Sequence, residues 1–85
     1  MYELLIERHA ERDLKQCDPP LFRRLTNAIL TLQQNPRPAA SQKLHGSAHN
    51  DWRLRVGDYR VVYEIDDDTH VVRIFRVKHR REVYR

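Results

Sequence analysis

A chain of 85 residues, 33% of them charged and 40% hydrophobic, suits one small domain spanning residues 1–85 and leaves no room for a second core. Its single cysteine, Cys17, excludes an internal disulfide framework, and no segment approaches the run of about 20 apolar residues that crosses a bilayer. The formal net charge of +4 is unevenly placed: residues 52–85 hold nine Lys+Arg against six Asp+Glu (net +3), and residues 1–51 hold seven against six (net +1). That imbalance points to an anionic partner for the C-terminal part.

Residues 2–7 read as an opening strand. Its apolar run is too short for the core of a signal peptide and is bracketed by Glu3 and Glu7, so a cytoplasmic protein is expected. From His9 to Cys17 good helix formers predict a short charged helix with a thin apolar face of Ala10, Leu14 and Cys17. The second helix is better signalled. Asp18 suits its N-cap, and Pro19 and Pro20 its first turn, where a missing N–H costs little. Phe22, Leu25, Ile29 and Leu32 recur at three- and four-residue spacing with Leu21 and Ala28 flanking them, a stripe for packing on a sheet. Asn35-Pro36 ends it.

Residues 36–50 show no periodicity and read as an irregular connector. His45 and His49 lie in it at helical spacing, but no cysteine pair accompanies them and a third ligand is missing, so no metal site is expected. Strands follow at about 52–56, 59–65 and 70–77, the last two joined by an Asp66-Asp67-Asp68-Thr69 turn whose aspartates read as a solvated hairpin tip. Gly57-Asp58 suits a two-residue type II′ hairpin, because glycine accepts positive φ at the first turn position. That turn places Arg55 opposite Arg60 and Leu54 opposite Val61. Arg53, Arg55 and Arg60 then share one face, and Trp52, Leu54, Val56, Tyr59, Val61, Tyr63 and Ile65 the other. Like charges directly across a strand pair destabilise a sheet, so a row of guanidinium groups implies a polyanion that uses it. The order β-α-α-β-β-β predicts an α+β domain, a mainly antiparallel sheet with both helices on one face and the arginines on the other.

The run Trp52 to Ile65 resembles the central hairpin of the RelE/ParE toxin superfamily, and Arg76 to Tyr84 resembles its closing basic-tyrosine motif. Lys43-Leu44-His45-Gly46 is similar to the turn that precedes the hairpin in such toxins. The resemblance is strongest to the RelE branch and spans nearly the whole chain. It implies a toxin of a type II toxin–antitoxin system that cleaves messenger RNA in the ribosomal 30S A site, without a cofactor, and is held inactive by a RelB-like antitoxin. It further implies roles for Arg53, Arg55, Arg60, Arg80 and Tyr84, with lysine common in the family where this chain has Arg53 and Arg55.

Cleavage through the 2′-hydroxyl needs removal of its proton, stabilisation of the phosphorane and protonation of the 5′-oxygen. Arginine does the second well, but with a pKa above about 12 it does the first poorly. His79 is the best-matched acid or base on pKa grounds; it also reads as a plain surface contact. Tyr84 can stack on a base, orient the 2′-oxygen or pack at the terminus. Arg60 and Arg80 are expected phosphate contacts, and Lys43, Arg73, Arg76, Lys78, Arg81 and Arg85 are candidate RNA or ribosome contacts. Two alternatives stay open: a ParE-like toxin that inhibits gyrase by binding, and an inactive basic module of the same fold that binds RNA or protein.

Overall fold

The computed structural model describes residues 1–44 and 51–83. Its elements in chain order are β1 (Glu3–Ile6), α1 (Arg8–Lys15), α2 (Pro19–Thr31), β2 (Ser41–Lys43), β3 (Asp51–Val56), β4 (Tyr59–Asp66), β5 (Val71–His79) and α3 (Arg80–Val83). The strands form one five-stranded sheet in the order β1-β5-β4-β3-β2, parallel between β1 and β5 and antiparallel elsewhere. The expected α+β architecture is therefore present. No helix among the described residues is long and apolar enough to cross a membrane.

One core lies between the helices and one face of the sheet. Ala10 and Leu14 of α1, Leu25 and Ile29 of α2, and Leu32 just beyond it meet Leu54, Val56, Val61, Tyr63, Ile65, Val72, Ile74 and Val77. The buried strand residues alternate along β3 and β4 as a pleated strand requires. In β5 the alternation breaks: Val72 and Ile74 point inward, and then Val77 does, because a register shift opposite Val62/Tyr63 leaves Phe75 as an extra residue. The shift decides which residues of β5 face the arginines.

Four expectations are corrected. Residues 41–43, read as irregular, form the edge strand β2; three residues without alternation carry no period to detect. The last strand, expected over 70–77, runs over Val71–His79 and is followed directly by the short helix α3. The buried stripe of α2 runs through Leu21, Leu25, Ala28, Ile29 and Leu32, so Phe22 sits a helical step off it and is 41% exposed. Asp18 has the extended backbone of an N-cap but makes no side-chain capping bond. His45 and His49, the rejected zinc pair, lie outside the described residues.

The Gly57-Asp58 hairpin forms as expected. Val56 pairs with Tyr59, Arg55 with Arg60, Leu54 with Val61 and Arg53 with Val62. Gly57 has φ +59 and Asp58 does not share the positive sign, the pattern of a II′ turn.

Candidate functional site

The open face of the sheet carries its polar residues in rows that cross the strands. Arg55, Arg60 and Lys78 face one another across β3, β4 and β5. One step along the face lie Gln42, Arg53, Val62 and Arg76 on β2 to β5, and a further step brings Asp51, Glu64 and Arg73. The face is thus polarised. Its hairpin end is cationic, its opposite end carries the acids, and Val62 separates them. A groove of ≈ 350 Å³ opens on the cationic half, lined by Ala39, Ala40, Ser41, Gln42, Arg53, Arg55 and Arg60.

Within this groove the arginines are held differently. Arg60 is half-buried and donates from one guanidinium nitrogen to the carbonyls of Gly57 (3.1 Å) and Tyr59 (3.0 Å). That fixes its direction and leaves the remaining N–H groups of its fork for an anion. Arg55 is exposed, with its backbone N–H donated to the Ala40 carbonyl at 3.1 Å, which holds the residue just before β2 against β3. At the same end of the sheet, the Arg80 backbone N–H donates to the Asp58 carbonyl at 2.7 Å, so the start of α3 is anchored on the hairpin turn.

Two expected contact residues are paired with acids of the fold. Arg76 grips Asp13 with two hydrogen bonds (Nε to Oδ2 at 2.9 Å and a second nitrogen to Oδ1 at 3.2 Å), and Asp13 also accepts the Val77 N–H at 2.9 Å. Burial pushes the Asp13 carboxyl up, but the Arg76 and Val77 hydrogen bonds and the charges of Arg76 and Lys78 outweigh it and hold the group below its ordinary range. Arg73 pairs with Glu7 at 3.5 Å. These pairs join β5 to α1, through Asp13 within the helix and through Glu7 at its N-cap.

The acid–base candidate His79 lies on the wrong face. It pairs in register with Tyr59, on the helix-bearing side, and their rings meet edge to face at 5.4 Å between centroids. Its Nδ1 accepts the Arg81 backbone N–H at 3.3 Å, which caps the start of α3. It lines a ≈ 140 Å³ cavity with Asp13, Gln16, Cys17, Tyr59, Val77 and Glu82. Burial, then the charges of Asp18 and Asp13, raise the Cys17 thiol above its ordinary value, which favours the protonated thiol over the thiolate there. Lys43 is likewise off the cationic face, since it pairs with Trp52 and shares the helix-bearing side.

The structure therefore brings together Arg53, Arg55, Arg60 and Lys78, with Arg80 anchored beside them and Arg81 exposed on α3. Tyr84 and Arg85 lie outside the described residues. Sequence reading missed Gln42, which enters the groove only because β2 pairs with β3, and an undetected strand gives its residues no face.

Residues 4–84 match the family model of the ParE toxin of type II toxin–antitoxin systems. Toxin RelE3 of Methanocaldococcus jannaschii is 35% identical over 77 residues, covering 86% of this chain and 84% of that protein. Among solved structures, the archaeal RelE–RelB complex of Pyrococcus horikoshii OT3 contains a chain that superposes with a TM-score of 0.82 at 28% identity, over 93% of this chain and 94% of that one. A chain of the RelBE2 toxin–antitoxin complex of Mycobacterium tuberculosis superposes with a TM-score of 0.81 at 28% identity, over 92% and 96%.

Proposed function

The chain belongs to the RelE/ParE superfamily of type II toxin–antitoxin toxins, and from that premise we propose that it is a ribosome-dependent endoribonuclease that cuts messenger RNA in the A site. The observation that carries this reading is the straight row Arg55–Arg60–Lys78, three cations across three strands with no acid in the row. Such a row stores repulsion in the free protein and releases it when phosphates bind.

The chemistry follows from the donors. Arg53, Arg55 and Arg60 hold non-bridging phosphate oxygens and stabilise the charge that gathers on the phosphorane as the 2′-oxygen attacks. Arg80 adds a further phosphate contact, and Tyr84 stacks on or orients the neighbouring nucleotide. The products are a 2′,3′-cyclic phosphate and a 5′-hydroxyl, and the path needs no cofactor. The small groove cannot bury a substrate alone, which fits a ribosome that presents the RNA. The natural partner is a RelB-like antitoxin whose acidic, partly disordered chain covers the cationic half of the sheet in the cytoplasm.

Primer extension on an mRNA in translating extracts tests this reading. Cuts inside translated codons that weaken with Arg60→Ala and Arg80→Ala are the expected result. Intact mRNA with protein that still arrests growth moves the assignment to gyrase binding, the reading that the match to the ParE family model favours as second.

A further inference from the structure

The arginine row lacks a proton donor suited to the leaving group. A guanidinium keeps its protons at any working pH, so Arg53, Arg55 and Arg60 stabilise charge without transferring a proton. His79 is on the far side of the sheet. Glu64 stands four residues along β4 from Arg60, about 13 Å at the rise of a strand, too far to share one phosphodiester.

Lys78 is the one other exchangeable group in the row. The chain has three lysines; Lys15 is on α1 and Lys43 faces the helix-bearing side. Lys78 is directly opposite Arg60, on a neighbouring strand about 4.8 Å away, close enough for both side chains to act on one phosphate bound at this row. The β5 register shift at Phe75 creates this position. Without it, Lys78 would point into the core side and His79 toward the arginines. Lys78 makes no hydrogen bond or ion pair with another described residue; its charge is felt by Asp13, which Arg76 already occupies.

We infer that Lys78 is the catalytic general acid, donating its Nζ proton to the 5′-oxygen as the phosphodiester breaks. The 2′-oxygen forms its bond to phosphorus and gives its proton to water. The P–O5′ bond breaks, its electron pair stays on the 5′-oxygen, and that oxygen takes the Lys78 proton. Lysine then recovers a proton from solvent. The inference rests on the endoribonuclease reading and deepens it.

The test uses ribosomes programmed with a synthetic mRNA whose A-site linkage carries either the natural 5′-oxygen or a bridging 5′-sulfur. A thiolate leaves without protonation, so the sulfur substrate bypasses the acid. Wild type cleaving the oxygen substrate establishes the nuclease reading by itself. Lys78→Arg, which keeps the charge, and Lys78→Ala are then expected to slow the oxygen substrate by on the order of 100-fold or more and to cut the sulfur substrate at nearly the wild-type rate. Equal loss on both substrates makes Lys78 a charge or fold contact and overturns the inference, as does an undiminished rate on oxygen. Wild type that cuts neither substrate overturns the nuclease reading and this inference with it.

Discussion

The Tyr63 hydroxyl donates to the Pro36 carbonyl across 2.7 Å in the fully buried core, which ties the centre of β4 to the segment that leaves α2. Burial raises the phenol above its ordinary pKa, so it stays a donor throughout the working range. Removing only the hydroxyl leaves the Pro36 carbonyl buried without its partner, a cost of about 1–3 kcal/mol. Tyr63→Phe is expected to lower the urea midpoint with an unchanged m-value, and a midpoint equal to wild type would show that water or a shifted backbone satisfies the carbonyl.

Gly57 concentrates several constraints in one residue. Its φ is +59, a Cβ would come within 3.0 Å of the Arg24 guanidinium, and its carbonyl accepts the Arg60 side chain. Arg24 can swing away, so backbone strain is the main cost of Gly57→Ala, about 1–2 kcal/mol. A thermal melt reads that loss. The same variant should also weaken RNA binding, because Arg60 and the start of α3 both hang on this turn.

The hairpin was legible because a II′ turn fixes register, and register fixes every pair from Val56/Tyr59 to Arg53/Val62. The core faces of β3 and β4 followed from their period of two. What escaped was the part that depends on partners distant in sequence. The β2 strand exists only because Ser41–Lys43 meet Leu54–Trp52, and the β5 shift exists only in the pairing with β4. That shift exchanged Lys78 and His79 between faces. The face shared by Arg53, Arg55 and Arg60 was therefore legible in the sequence, and the places of Lys78 and His79 on β5 were not.

The polarised face predicts unequal roles for arginines of one type. Arg55 sits in the cationic row, and Arg76 is committed to Asp13. Arg55→Ala is expected to weaken binding of a short RNA and to reduce the slope of log K against log[salt] by about 0.7, one single-strand phosphate contact. Arg76→Ala should leave that slope unchanged and lower the melting temperature instead. Filter binding at several salt concentrations separates the two, and equal slope changes would remove the distinction.

Asp13 sets an acid limit on stability. Its folded pKa is depressed, so the contribution is full above about pH 5, where the unfolded carboxyl with its ordinary pKa of about 3.9 is ionised, and is lost as pH falls through the lower folded value. Asp13→Asn should be less stable than wild type near neutrality, and the gap should close on acidification as protonation removes the same pair. Melting temperatures of both proteins from about pH 7 to 2.5 check this; a gap independent of pH would place the effect in packing.

His79 offers the last distinction, between a cap and a catalyst. Its Nδ1 accepts the Arg81 N–H at the head of α3, and its ring meets Tyr59 on the side away from the arginines. Asparagine is a good N-cap and cannot act as an acid or base near neutral pH. His79→Asn is therefore expected to cleave RNA close to the wild-type rate with the same pH profile. His79→Ala loses the cap and frees the segment that carries Arg80, so its rate should fall without a change in the shape of the profile. If Asn fails as badly as Ala and one limb of the pH–rate profile disappears with the imidazole, His79 transfers a proton after all.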